Sequence, residues 1–76
     1  MRSGYALCTL DNLKVLCLKP NRQGVELVEI INANTLNKAL CLPDLTSIKN
    51  AYDRFKEKNL VPDLDIVNIA KLYRNF

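Results

Sequence analysis

The chain has 76 residues, which is room for one domain near the size at which a single hydrophobic core is only just sufficient. Apolar residues make up 49% of it, which excludes a disordered chain, and the net charge of +3 is too small to indicate nucleic-acid binding by itself. No apolar run approaches the roughly 18 residues of a membrane span, and Asp11 interrupts the apolar start too early for a signal peptide, so we expect a soluble cytoplasmic protein without membrane contact.

The first two predicted elements are strands over residues 5–10 and 13–19, joined by a hairpin turn at Asp11-Asn12. Asp and Asn tolerate the left-handed backbone that tight hairpin turns require. This turn places Cys8 opposite Val15 and makes one face of the hairpin wholly apolar. The predicted core face consists of Ala6, Cys8, Leu10, Leu13, Val15 and Cys17. The opposite, mixed face consists of Tyr5, Leu7, Thr9, Lys14, Leu16 and Leu18.

The same register predicts the redox state of the three cysteines. Cys8 and Cys17 become diagonal neighbours with β-carbons roughly 7 Å apart, too far for the usual disulfide spacing. Their spacings to each other and to Cys41 match no compact metal motif. We therefore expect three free thiols that behave as small hydrophobic side chains, and no metal.

The secondary structure of the middle of the chain is ambiguous from the sequence. Val25–Ile31 is rich in β-branched residues and predicts a third strand. Glu26 and Glu29 lie three apart, which fits a helix better than a strand; a bulge would reconcile this spacing with a strand, and a helix beginning near Gly24 stays the alternative. The segment Thr35–Leu42 is ambiguous between a short helix and a further strand.

The sequence Pro-Asp-Leu occurs twice in the C-terminal part, at Pro43 and Pro62, and each copy precedes helical periodicity. Proline and an acidic residue both suit a first helical turn, so we predict one helix that ends near Asn59 and a second that continues to the end of the chain. The predicted fold is α+β, with an N-terminal antiparallel hairpin or three-stranded sheet (5–31) packed against a C-terminal pair of helices (43–76). The whole of 1–76 forms one small domain.

The residue types argue against an enzyme. The chain has no histidine, which excludes Ser-His-Asp triads and removes the usual base that activates a cysteine. Its two glycines do not form a phosphate-binding loop. Asp63 and Asp65 point about 200° apart on a helix, so helix capping explains them better than acid–base chemistry. We expect no catalytic residues and no cofactor.

The predicted last helix is apolar on more than one side, which is typical of a helix buried against a partner. We therefore predict a non-enzymatic interaction module, acting as an oligomeric subunit, an adaptor or a regulator. Its predicted interface anchors are Leu64, Val67, Leu72 and Phe76. The alternative that these residues cover other parts of the same chain stays open at this point.

A second functional hypothesis rests on basic residues around the hairpin. Lys14, Lys19 and Arg22 lie close in sequence to the predicted turns, and together with Tyr5 they could form a basic platform for nucleic acid. On the first C-terminal helix, basic and acidic residues alternate, which is typical of a solvated surface. Phosphate contacts weaken steeply with salt, so the two hypotheses differ in a measurable property.

Overall fold

In the computed structural model, which describes residues 2–20 and 24–75, the chain forms a five-stranded antiparallel sheet and three helices. This confirms the α+β class. The elements in chain order are β1 (Tyr5–Cys8), β2 (Lys14–Leu18), β3 (Val25–Glu29), α1 (Ala33–Asn37), β4 (Cys41–Leu42), α2 (Leu45–Glu57), β5 (Asp65–Asn68) and α3 (Ile69–Tyr73).

Strand β1 organises the sheet. It pairs with β5 along its whole length, from Tyr5 opposite Asn68 to Cys8 opposite Asp65. A strand has only two edges, so β2 and β4 share the other edge of β1. Strand β3 pairs with β2 over five consecutive residues without a bulge, which confirms the predicted third strand.

The hairpin has the predicted register but a different turn. Cys8 lies opposite Val15 as predicted, yet the Thr9 amide donates to the Lys14 carbonyl at 2.9 Å and closes a longer loop. Within it Asn12 adopts a left-handed φ of 62°. Leu10 and Leu13 therefore belong to the loop and are 67% and 61% exposed, so their prediction as core residues was wrong.

The sheet is buried on both faces, not on one. One cluster lies between the sheet and helices α1 and α3, and a second lies between the sheet and α2. Leu7 and Leu16, predicted on the mixed face, are fully buried in the second cluster because α2 covers them. The buried members of the first cluster are Ala6, Val15, Cys17, Leu36, Ala39, Ile69 and Leu72, and those of the second are Leu7, Leu16, Ile48 and Leu64.

Helix α2 forms where the first Pro-Asp-Leu sequence predicts it. The Asp44 side chain accepts a hydrogen bond from the Ser47 amide at 2.7 Å and caps the first turn. The helix ends at Glu57, and Asn59 adopts the left-handed φ of 56° that commonly terminates helices.

The second half of the predicted helical pair was wrong. The second Pro-Asp-Leu sequence leads into strand β5, and only the five residues of α3 are helical after it. Ile66 and Val67 are β-branched and pair with the otherwise uncovered edge of β1, which decides in favour of a strand. The helix begins one turn later because the Asn68 side chain, not Asp63, accepts a hydrogen bond from the amide at its start.

Candidate functional site

The structure buries two of the predicted interface anchors within the chain's own fold. Leu64 is 7% exposed and Leu72 is 3% exposed, each in a different core cluster. Val67 is half-buried on β5 and packs against the cluster under α3, and Phe76 lies outside the described residues. Leu64 lies just before β5 and Leu72 lies in α3, and both side chains pack in the core of the chain's own fold, so neither is exposed to a partner in this structure.

Of the three basic residues in the second hypothesis, the two in the described part of the chain, Lys14 and Lys19, lie at or just beyond opposite ends of β2. Lys14 is exposed but lies directly opposite Glu29 on the neighbouring strand, where the two charges offset each other. Lys19 is exposed at the far end of the same strand, beyond Leu18, and Arg22 lies outside the described residues.

A third basic residue near this surface has a structural role. The guanidinium of Arg2 donates to three main-chain carbonyl oxygens, those of Leu36, Asn37 and Ala39, at 3.1, 2.9 and 2.7 Å. These carbonyls lie at the C-terminal end of α1, where helices leave acceptors unpaired. Arg2 therefore ties the start of the chain to α1.

The thiols lack the electrostatic surroundings of nucleophiles. Burial, with smaller contributions from Asp65 and Asp11, raises the pKa of Cys8 to about 11. Burial also raises the pKa of Cys17, with Glu26 adding to the effect. Both thiols are therefore protonated at neutral pH, which is the reverse of an activated cysteine. All three cysteines are free in the structure, in agreement with the hairpin register.

The paired aspartates also have structural surroundings. Asp63 forms an ion pair with Lys56 of α2, which lowers the pKa of the Asp63 carboxyl, and this replaces its predicted role as a helix cap. Asp65 is exposed on β5. Among residues 2–20 and 24–75, no three potential metal-ligating side chains of the His, Cys, Asp or Glu type are grouped together.

The outer edge of β3 carries main-chain groups that pair with nothing else in the described part of the chain. The Ile30 amide donates to the Leu13 carbonyl, and the Lys19 amide donates to the Gly24 carbonyl. Hydrogen-bonded pairs alternate along antiparallel strands, so the residues between these two points that bond to β2 are Glu26 and Val28. The amides and carbonyls of Val25, Leu27 and Glu29 consequently point away from β2.

A hydrogen bond on the edge of β2 that faces away from β3 agrees with this alternation. Leu16 lies opposite Leu27, and its carbonyl accepts from the Leu40 amide at 2.9 Å, in the direction away from β3. Main-chain groups of the Leu16–Leu27 pair thus point outward on both strands, as the antiparallel pattern requires. Strand β3 has an edge that can accept a further strand.

A groove lies beside this edge, on the face of the sheet that carries α1. Its volume is about 410 Å³, and it is open to solvent. Residues of α1, β2 and β3 line it together, among them Thr35, Cys17 and Val28. Its apolar lining includes Leu18, Pro20, Val28 and Ile31, and its charged lining includes Glu26 and Lys38.

Two of the six large apolar residues that are exposed in the described part of the chain line this groove. Ile31 is 73% exposed and Leu18 is 57% exposed, and both line the groove. From the sequence, Leu18 was predicted on the mixed face of the hairpin, and Ile31 was not predicted as a contact residue. An exposed β-branched residue directly after a strand is a signal in the sequence, but only the order of strands shows that it lies beside an open edge.

The comparisons with known proteins add no assignment: no family model, no curated protein and no solved structure matches the chain. In the described residues, no helix combines the length and the apolar character that crossing a membrane requires.

Proposed function

We propose that this chain is a small non-enzymatic interaction module that binds a protein partner along the outer edge of β3 and in the groove beside it. The observation that carries the proposal is the coincidence of two features at one place. Unpaired main-chain groups at Val25, Leu27 and Glu29 border a groove whose lining includes Val28 and the exposed Ile31. Partner strands bind by main-chain hydrogen bonds, and pockets for their side chains add selectivity.

The rest of the surface supports binding rather than catalysis. The two thiols with raised pKa values are protonated at neutral pH, and the ion pair and the caps account for Asp63 and Asp44. The chain would then act as an adaptor, as a regulator or as one subunit of an oligomer. A cytoplasmic location agrees with three free cysteines in a reducing compartment.

The nucleic-acid hypothesis has less support from the residues that suggested it. Lys14 faces Glu29, which offsets its charge, and Lys19 lies beyond the other end of β2. Phosphate binding depends on several basic charges acting together. The proposal therefore rests on a protein partner.

Site-specific photo-crosslinking tests this proposal. A photoreactive side chain replaces Lys38, which lines the groove, or Lys58, which follows α2 and does not line it. We expect discrete protein adducts from position 38 and none of the same mass from position 58. The adducts should disappear when Ile31→Arg blocks the groove and persist with Leu60→Arg, a matched change at another exposed apolar residue.

Two outcomes would contradict the proposal. One is the same set of adducts from both labelled positions, since a specific site cannot produce it. The other is a set of adducts from position 38 that Ile31→Arg leaves unchanged. Circular dichroism of each variant checks that the fold is retained, which we expect because Ile31 and Leu60 are both exposed.

A further inference from the structure

The edge of β3 specifies the side chains that a paired strand would present. On the side of the sheet that carries α1, β3 presents Glu26 and Val28, because these lie opposite Cys17 and Val15 of the cluster under α1. On the side that carries α2, β3 presents Val25, Leu27 and Glu29. A partner strand therefore meets apolar and acidic positions in a fixed order.

The strand already bonded to the inner edge of β3 shows which residues suit that order. Opposite Glu29, Val28, Leu27, Glu26 and Val25, strand β2 carries Lys14, Val15, Leu16, Cys17 and Leu18. Apolar residues thus face apolar residues, and a lysine faces Glu29. At the fourth position Cys17 faces Glu26 and leaves that carboxylate without a cationic partner on the neighbouring strand. Charge complementarity at the outer edge therefore favours a basic residue at both acidic positions.

From this order the geometry points to an extended peptide segment as the occupant of the β3 edge, running antiparallel to β3 with the pattern basic–apolar–apolar–basic–apolar. This inference rests on the proposed function and specifies its partner. The second residue of the pattern lies next to Val28 on the side of the sheet that carries α1, and there it meets the groove that Val28 and Ile31 line. The fourth, basic residue lies next to Glu26 at the groove wall.

Main-chain pairing also predicts which residues of the peptide form hydrogen bonds with β3. The first, third and fifth residues lie opposite Glu29, Leu27 and Val25, whose amides and carbonyls point outward, so these residues exchange hydrogen bonds with β3. The amides of the second and fourth residues point away from the protein. Methylation of the third amide should abolish pairing, whereas methylation of the fourth should not.

The test uses a labelled synthetic peptide that contains Lys-Val-Leu-Lys-Val, with fluorescence anisotropy against the full chain. We expect saturable binding of the parent peptide and of the peptide methylated at the second lysine amide. Methylation at the leucine amide should weaken binding by about tenfold or more, because it removes one hydrogen bond and inserts a methyl group into the pairing edge.

Charge changes in the protein provide a second, independent measurement. Glu26→Lys places a positive charge beside the second lysine of the peptide and should weaken binding about threefold to tenfold. The matched control is Glu57→Lys, the same charge change at an exposed position of α2, and it should leave binding unchanged. Both side chains are exposed, so both variants should fold.

Three results would overturn the inference. The first is equal binding of the two methylated peptides, and the second is equal weakening by the two charge variants. The third is absence of peptide binding while crosslinking at position 38 stays specific, in which case the proposed function stands and its partner is not this kind of strand. If sedimentation then shows a dimer whose formation is blocked by Ile31→Arg, the occupant is a second copy of the chain.

Discussion

Replacement of Gly4 by alanine should destabilise the fold by more than the same change at Gly24. Both glycines have strongly positive φ, 113° at Gly4 and 119° at Gly24, where an alanine costs about 1–2 kcal/mol. Their surroundings differ. A β-carbon at Gly4 would lie 2.5 Å from the carbonyl oxygen of Leu42 and 3.1 Å from the sulfur of Cys41, whereas at Gly24 it would meet nothing within 4 Å.

The overlap at Gly4 involves main chain that cannot easily move. Leu42 belongs to β4, which pairs with β1 at Tyr5, and the Gly4 carbonyl accepts from the Ile69 amide at 2.9 Å. Forcing extra volume into such a contact costs about 1–3 kcal/mol, so Gly4→Ala should lose about 2–5 kcal/mol against about 1–2 kcal/mol for Gly24→Ala. The total for a domain of this size is about 4–11 kcal/mol.

Urea unfolding followed by far-ultraviolet circular dichroism measures both losses under the same conditions. Gly24→Ala serves as the control for backbone conformation, and the difference between the two variants isolates the overlap with β4. Equal losses would refute the close approach of Gly4 to Leu42 and with it the placement of β4 beside β1.

Three further predictions concern the core, one thiol and one helix cap. Leu16→Ala should lower the free energy of unfolding by about 2–5 kcal/mol because Leu16 is fully buried, whereas Leu13→Ala should lower it by almost nothing because Leu13 lies in the hairpin loop. Similar losses for the two variants in urea unfolding would contradict the corrected turn. The pKa of Cys8 rises from 9.0 to about 11 on folding, so the folded chain holds the thiol proton more tightly than the unfolded chain does. The protonated thiol therefore contributes fully to stability below about pH 9, and this contribution is lost as the pH approaches 11. Cys8→Ala should reduce this alkaline loss by up to about 3 kcal/mol in urea titrations at pH 8 to about 11, and an unchanged pH dependence would show that the thiol is not buried. Asp44→Ala should lower the thermal unfolding midpoint more than Asp63→Ala does, because only Asp44 caps a helix, and the reverse order would contradict the assignment of the cap.

The parts of the fold that depend on local chemistry were predictable from the sequence. The hairpin register follows from Asp11 and Asn12, and α2 follows from a capping aspartate and one apolar stripe. The length of the hairpin loop was not predictable, because the Thr9 hydroxyl bonds to the Asp11 side chain and to the Lys14 amide, an arrangement that competes with the shorter turn.

The strand β5 was not predictable from its own residues. Its Pro-Asp-Leu start resembles the start of α2, and Ile66 and Ile69 fit a helical stripe as well as they fit their true positions. What decides is pairing with β1, some 60 residues earlier in the chain, which places a β1 residue opposite each of the four residues of β5. The apolar residues on several sides of the predicted last helix thus indicated burial correctly, but the residues that bury them belong to the chain itself.

The candidate site was only partly predictable for a similar reason. The spacing of Glu26 and Glu29 left their segment ambiguous between strand and helix, and the structure places both on β3 with exposed side chains. That β3 is an outermost strand depends on the order of all five strands, and the groove depends on residues from separate elements. No single segment of the sequence carries that information.

Amide hydrogen exchange along β3, followed by NMR in the isolated chain and again with the Lys-Val-Leu-Lys-Val peptide, tests the central claim most directly. In the isolated chain, the amides of Glu26 and Val28 should exchange slowly, and those of Val25, Leu27 and Glu29 should exchange rapidly, because only the first pair bonds to β2. The peptide should slow the rapid group, with Leu27 at its centre, and leave the slow group unchanged. Uniform protection of all five amides without peptide would show that the edge is already covered, and it would contradict the binding site proposed for this protein.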